Sequence, residues 1–103
     1  MITEIVYLDR DNVNSLVLRA NGSAQDISNL SRVTLKIGEV VLDSRIHSNV
    51  FDWSTSGTSG QLDMTLGHQD LRVGTFRSTL TVYDNSYPRG LVWGDLMIQV
   101  REA

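Results

Sequence analysis

The sequence predicts an all-β protein, an immunoglobulin-like antiparallel β-sandwich of seven or eight short strands. Three observations lead there: period-two alternation in separate runs, turn-forming residues between those runs, and no apolar stripe at helical spacing. Val33, Leu35 and Ile37 alternate with Arg32, Thr34 and Lys36. Leu62, Met64 and Leu66 alternate with Gln61, Asp63 and Thr65. The longest run places Phe76, Ser78, Leu80 and Val82 on one face and Arg77, Thr79, Thr81 and Tyr83 on the other. Near the end, Leu96, Ile98 and Val100 alternate with Met97, Gln99 and Arg101.

Strands are therefore expected near 3–8, 14–20, 32–37, 39–43, 49–53, 61–66, 75–83 and 91–101. The punctuation is Asn21-Gly22, the Ser/Thr/Gly run of 54–60, Val73-Gly74 and the turn of 87–90. Trp93 and Leu96 cannot both face inward on a regular pleat, so Gly94 between them predicts a bulge. The stretch Asp70–Phe76 reads as the corner entering the long strand. Asp70 is expected to accept backbone N–H groups, Leu71 to plug the core and Gly74 to permit the turn. Phe76 stands where such corners often carry a tyrosine.

With 103 residues the chain is read as one domain, 1–103. That size buries roughly 60–70% of the unfolded surface, enough for one core. Hydrophobic residues are 41% and charged residues 20%, which excludes a disordered tail. A net charge of −3 and eight scattered arginines around one lysine give no basic stripe, which argues against nucleic acid. There is no cysteine, so no disulfide or thiolate metal site can form. No segment has the pattern of a secretory signal, and no apolar run is long enough to cross a bilayer as a helix. The chain is expected to be a complete small protein made in the cytosol.

Chemistry-bearing residues are sparse. His47 and His68, the only histidines, sit in turn-like contexts without ligand spacing and read as surface residues. Asp9–Asn12 opens like a calcium loop, then fails at Val13, Asn14 and Ala20, so it reads as a solvated turn. Lys36 lies on the polar phase of its strand, whereas an isopeptide crosslink needs a buried lysine. No catalytic residue, cofactor site or metal site is assigned, and no enzyme activity is expected. The aromatics are the open case. Trp53, Trp93, Tyr83 and Tyr87 suit a core or subunit interface, with one tryptophan as the core plug. Trp53, Tyr87 and the 54–60 loop are also what a sugar-stacking platform would use.

The run from Asn21 to Ser44 resembles the opening of small immunoglobulin-like domains in tailed-phage virion proteins. It most resembles the amino-terminal domain of the phage baseplate upper protein family. The shared elements are a Gly-containing turn, the Asp26-Ile27 step and a strand like Val33–Ile37 leading into a second ending near Asp43. The run from Gly60 to Asp84 matches the companion pattern through Asp70, Leu71, Gly74 and Phe76, and Leu91–Val100 supplies a closing strand. The resemblance covers about four-fifths of the chain. It implies a structural virion or prophage component, in tail, baseplate or head, assembled in the host bacterial cytoplasm. Its partners would be other virion subunits, with a homo-oligomer in the particle and neither nucleic acid nor membrane. The candidate contact residues are Trp53, Arg77, Thr79, Thr81, Tyr83, Tyr87 and Trp93. The alternative is a carbohydrate- or host-surface-binding module.

Overall fold

A computed structural model describes residues 2–103. Ten strands build it: β1 Ile2–Tyr7, β2 Val13–Val17, β3 Arg19–Ala20, β4 Ser23–Ala24, β5 Arg32–Ile37, β6 Val40–Asp43, β7 Phe51–Asp52, β8 Gln61–Thr65, β9 Gly74–Tyr83 and β10 Leu91–Arg101. A five-stranded sheet runs β1-β10-β9-β5-β6, a three-stranded sheet β2-β8-β7, and β3-β4 form a small hairpin. The two larger sheets pack as an all-β sandwich, with β10, β9, β5 and β6 facing β2, β8 and β7.

One continuous core lies between the sheets. Val33, Leu35 and Ile37 of β5, Leu80 and Val82 of β9, and Leu96, Ile98 and Val100 of β10 meet Leu16, Leu62, Met64 and Leu66 from the opposite layer. Leu35, Leu62, Met64, Leu66 and Ile98 are fully inaccessible. The alternation read from the sequence thus sorts each strand's residues between core and outer face, as a period of two requires. Lys36 is exposed, on the polar phase where its strand pattern put it.

Several expectations need correction. The sandwich has one parallel pair: β1 runs alongside β10, with Ile2 beside Leu96 and Tyr7 beside Arg101. The segment 14–20 is not one strand, because the chain leaves β2 at Val17 and Arg19–Ala20 turn back onto Ser23–Ala24. The turn of that hairpin is Asn21-Gly22, both at positive φ (53° and 81°), which matches the twist of a tight hairpin. Of the expected strand 49–53, Phe51–Asp52 form β7 beside β8 and Val50 O accepts from Thr65 N–H, while the Val50 N–H closes a turn by donating to His47 O. Leu71 does plug the core at the corner into β9, but Asp70 does not cap it. No described backbone N–H reaches the Asp70 carboxylate, and the corner is closed instead by Leu71 N–H to Gln69 O at 2.9 Å.

The bulge is where the sequence put it. The β9–β10 register shifts between Val92 and Gly94, leaving Trp93 as the extra residue. That extra residue lets Trp93 and Leu96 both pack inward. Neither tryptophan is the core plug, however. Trp53 and Trp93 are both half-buried and pack against the rim of the core.

Candidate interaction surfaces

Three loops gather at one end of the sandwich. Ile27 N–H donates to Gly57 O at 2.8 Å, joining the segment before β5 to the turn between β7 and β8. Trp53 Nε1–H donates to Leu30 O at 3.2 Å, and Ser31 N–H to Tyr83 O at 2.9 Å, which brings in the end of β9. Each loop is opened by the same local device, an Asp-x-Ser step. Asp26 Oδ1 accepts from Ser28 N–H and Oγ, and Asp52 Oδ1 from Ser54 N–H and Oγ. Asp84 Oδ1 accepts from Ser86 N–H and Tyr87 N–H. A short carboxylate that bonds the backbone two residues on mimics a turn of the chain itself. The hydroxyl and amide donors of Ser28 hold the Asp26 carboxyl below the usual range, and those of Ser54 do the same for Asp52. The loop carboxylates are thus occupied with their own turns.

Trp53 stands beside a shallow hollow of about 590 Å³ lined by Ser48, Asn49, Phe51, Asp52 and Ser54. Tyr87 is not among its walls. It lies half-exposed in the turn between β9 and β10, so the structure does not gather Trp53, Tyr87 and the 54–60 loop into one platform.

Arg77, Thr79, Thr81 and Tyr83 do point away from the core, but little of this row is free. Arg77 grips Asp95 across the β9–β10 ladder at 2.8 Å, and Thr79 Oγ1–H donates to the same carboxylate. The Arg77 hydrogen bond, then that from Thr79, holds Asp95 below the usual carboxyl range. Tyr83 lies under the Arg32 guanidinium, 4.6 Å from ring centroid to Cζ, and Arg32 in turn takes Asp43 with Nε at 3.0 Å and Nη2 at 2.5 Å. Such planar two-point pairing fixes the guanidinium over the ring. Asp43 is 7% exposed and also accepts from Arg45 N–H, so its carboxyl lies well below the ordinary range despite burial. Thr81 is half-buried, with Gly90 beside it.

The histidines are likewise structural. His47 Nδ1 accepts from Asp43 N–H at 3.1 Å, and its own N–H donates to Asp43 O at 2.6 Å, closing the turn after β6. His68 pairs with Asp11, which ties the β1–β2 turn to the turn after β8. Among the described residues no three of His, Asp and Glu converge to hold a metal ion.

Part of the exposed apolar surface borders a groove, while Val41, Ile46, Val73 and Leu91 are exposed outside its lining. Ile2, Val17 and Trp93 line an apolar groove of about 310 Å³ with Leu16, Leu18 and Leu96 at its floor, and Arg19 and Asp95 on its rim. Val13 and Val17 of β2 are 55% and 40% exposed, and Val92 at the bulge is 67% exposed. The sequence reading found Trp93 but missed its neighbours, because an exposed valine on the outer phase of a strand breaks no alternation. No protein-family model matches the chain, and no curated protein matches it.

Proposed function

We propose that the chain is a non-enzymatic assembly component of a phage or prophage particle, built in the bacterial cytoplasm and acting through protein–protein contacts. The observation that carries this reading is the distribution of unused surface. The polar groups of the loop end and of the outer β9 face are largely paired among themselves, whereas the apolar side chains of Ile2, Val13, Val17 and Val92 stand exposed, and Ile2, Val17 and Trp93 line an apolar groove. Exposed apolar surface of that kind suits burial against another subunit. The resemblance of Asn21–Ser44 and Gly60–Asp84 to virion sandwich domains supplies the setting.

The test is sedimentation of a lysate from induced or infected source cells through a sucrose gradient, followed with an antibody to the purified chain. Antigen travelling with intact particles is the expected result. Antigen confined to the soluble fractions overturns the reading.

One observation favours a second reading. The hollow at Trp53 combines an indole with hydroxyl, amide and carboxylate groups, the side-chain types that hold a sugar. In that case tryptophan fluorescence titrated with a glycan panel saturates, and Asn49→Ala abolishes the response. A flat titration removes it.

A further inference from the structure

Among the described residues, no strand pairs with the outer edge of the three-stranded sheet at β2. In a constant-type sandwich the first strand closes the edge beside the second. Here β1 is spent on β10, so β2 pairs with β8 alone. The other free edges are blunted. Beside β6, the N–H groups of Ile46 and His47 bond Asp43 O, and the His47 ring takes Asp43 N–H. The β7 edge is two residues long, and β1 carries Glu4. By contrast β2, with the sequence VNSLV, has no charge, no proline and no bulge. Edges ordinarily carry such features to prevent association.

The register shows which groups stand open. Leu18 N–H bonds Gly60 O, so in the β2–β8 ladder the bonded positions on β2 are Leu16 and Asn14. The backbone groups of Val13, Ser15 and Val17 then point outward. All three side chains are exposed.

We propose that β2 is the seam of a two-fold dimer, pairing antiparallel with β2 of a second copy about Ser15. Only this register uses every outward residue: Ser15 faces its own copy, and Val13 faces Val17. It also settles the charges. Asp11 and Arg19, both exposed, lie just outside β2 and equally far along the sequence from Ser15, and the two-fold axis brings each to the side of the other in the partner, where Arg19 joins the Asp11–His68 pair. No like charges meet on the strand. Val13 and Val17, solvated in the monomer, become cross-strand partners, and the three-stranded sheets of both copies join into one. The inference rests on the reading of the chain as an assembly component. A dimer built through some other surface would leave that reading standing and remove this one.

The chain has no cysteine, so a single one reports cleanly. Bonded antiparallel partners have Cα atoms about 5.5 Å apart, within the roughly 4.4–6.8 Å a disulfide spans. The full chain carrying Ser15→Cys is oxidised with glutathione disulfide, beside Ile46→Cys at the distant β6 margin. Ser15→Cys is expected to crosslink roughly tenfold faster or more, the advantage of a preformed contact. Sedimentation velocity then compares wild type with Ser15→Pro, which removes an outward N–H and leaves the β8 ladder intact. Wild type is expected to show a concentration-dependent dimer and Ser15→Pro a monomer of unchanged circular dichroism. Should Ser15→Pro fail to fold, the charge pair decides. Arg19→Asp is expected to weaken the dimer by roughly tenfold, and Asp11→Arg together with Arg19→Asp to restore it. Equal crosslinking at both cysteines, a wild-type monomer at all concentrations, or a dimer indifferent to Arg19→Asp each overturns the proposal.

Discussion

Gly22 and Gly60 have the same backbone conformation in different surroundings, and that difference can be measured. Their φ values are 81° and 80°. A side chain at 22 meets nothing within 4 Å, whereas a Cβ at 60 stands 2.7 Å from Gln25 O and 3.2 Å from Leu18 O. Gly22→Ala therefore carries only the left-handed penalty, about 1 kcal/mol. Gly60→Ala carries the same penalty plus displacement of backbone that cannot swing aside, for a total of about 2–4 kcal/mol. The backbone at risk is the bond from Gln25 N–H to Leu18 O, which ties the β3–β4 hairpin to β2. Urea unfolding followed by tryptophan fluorescence gives both values. In thermal melts Gly22→Ala should lose about 5 °C and Gly60→Ala at least twice that. Equal losses at the two positions would refute the reasoning, because strain alone would then account for both.

Three further outcomes are expected. Leu35→Ala, at a fully buried position in the middle of β5, should cost about 3 kcal/mol or more by calorimetry, on the order of 15 °C, whereas the exposed neighbour Lys36→Ala should cost almost nothing. Asp43 has a folded pKa below its unfolded value, chiefly through the Arg32 hydrogen bonds, so it contributes stability above about pH 4 that is lost as pH falls through the folded pKa. Asp43→Asn should accordingly be less stable than wild type at pH 7, and the gap should close in acid unfolding curves below pH 4. Trp53→Phe removes the donor to Leu30 O and should destabilise by about 1 kcal/mol in urea titrations, without loss of the β7–β8 ladder signals.

Burial was more legible than pairing. The sequence Phe76–Val82 states which side chains turn inward, and the crowding of Trp93, Gly94 and Leu96 announces a bulge, because both are local consequences of the pleat. The parallel placement of β1 was not legible. Nothing in the sequence Ile2–Tyr7 distinguishes a place beside β2 from one beside β10, and only the assembled core selects between them. The break at Leu18 was hidden for a similar reason. Burial alternates straight through Leu16, Val17, Leu18 and Arg19 while the hydrogen-bond partner changes from β8 to β4. At the loop end the signal was present and overlooked. Asp26-Ile27-Ser28, Asp52-Trp53-Ser54 and Asp84-Asn85-Ser86 each encode a turn, but such steps are common singly and acquire meaning only when the fold gathers them. The unguarded β2 edge lies between these extremes. The lack of charge in Val13–Val17 is plain to read, whereas its place at a border is a fact of topology.

The seat of β10 between β1 and β9 also governs how the molecule is made. The strand that joins β1 to the rest of its sheet is β10, far along the chain from it. Until it emerges, the nascent polypeptide holds β1 without a sheet partner and β9 with one side bare, a state prone to mispairing with neighbours. Closure over so long a loop is slow, on the order of milliseconds to seconds. The sheet is therefore completed only after β10 has emerged, and loss of β10 would cost far more than the residues it deletes, because β1 would lose its place with it.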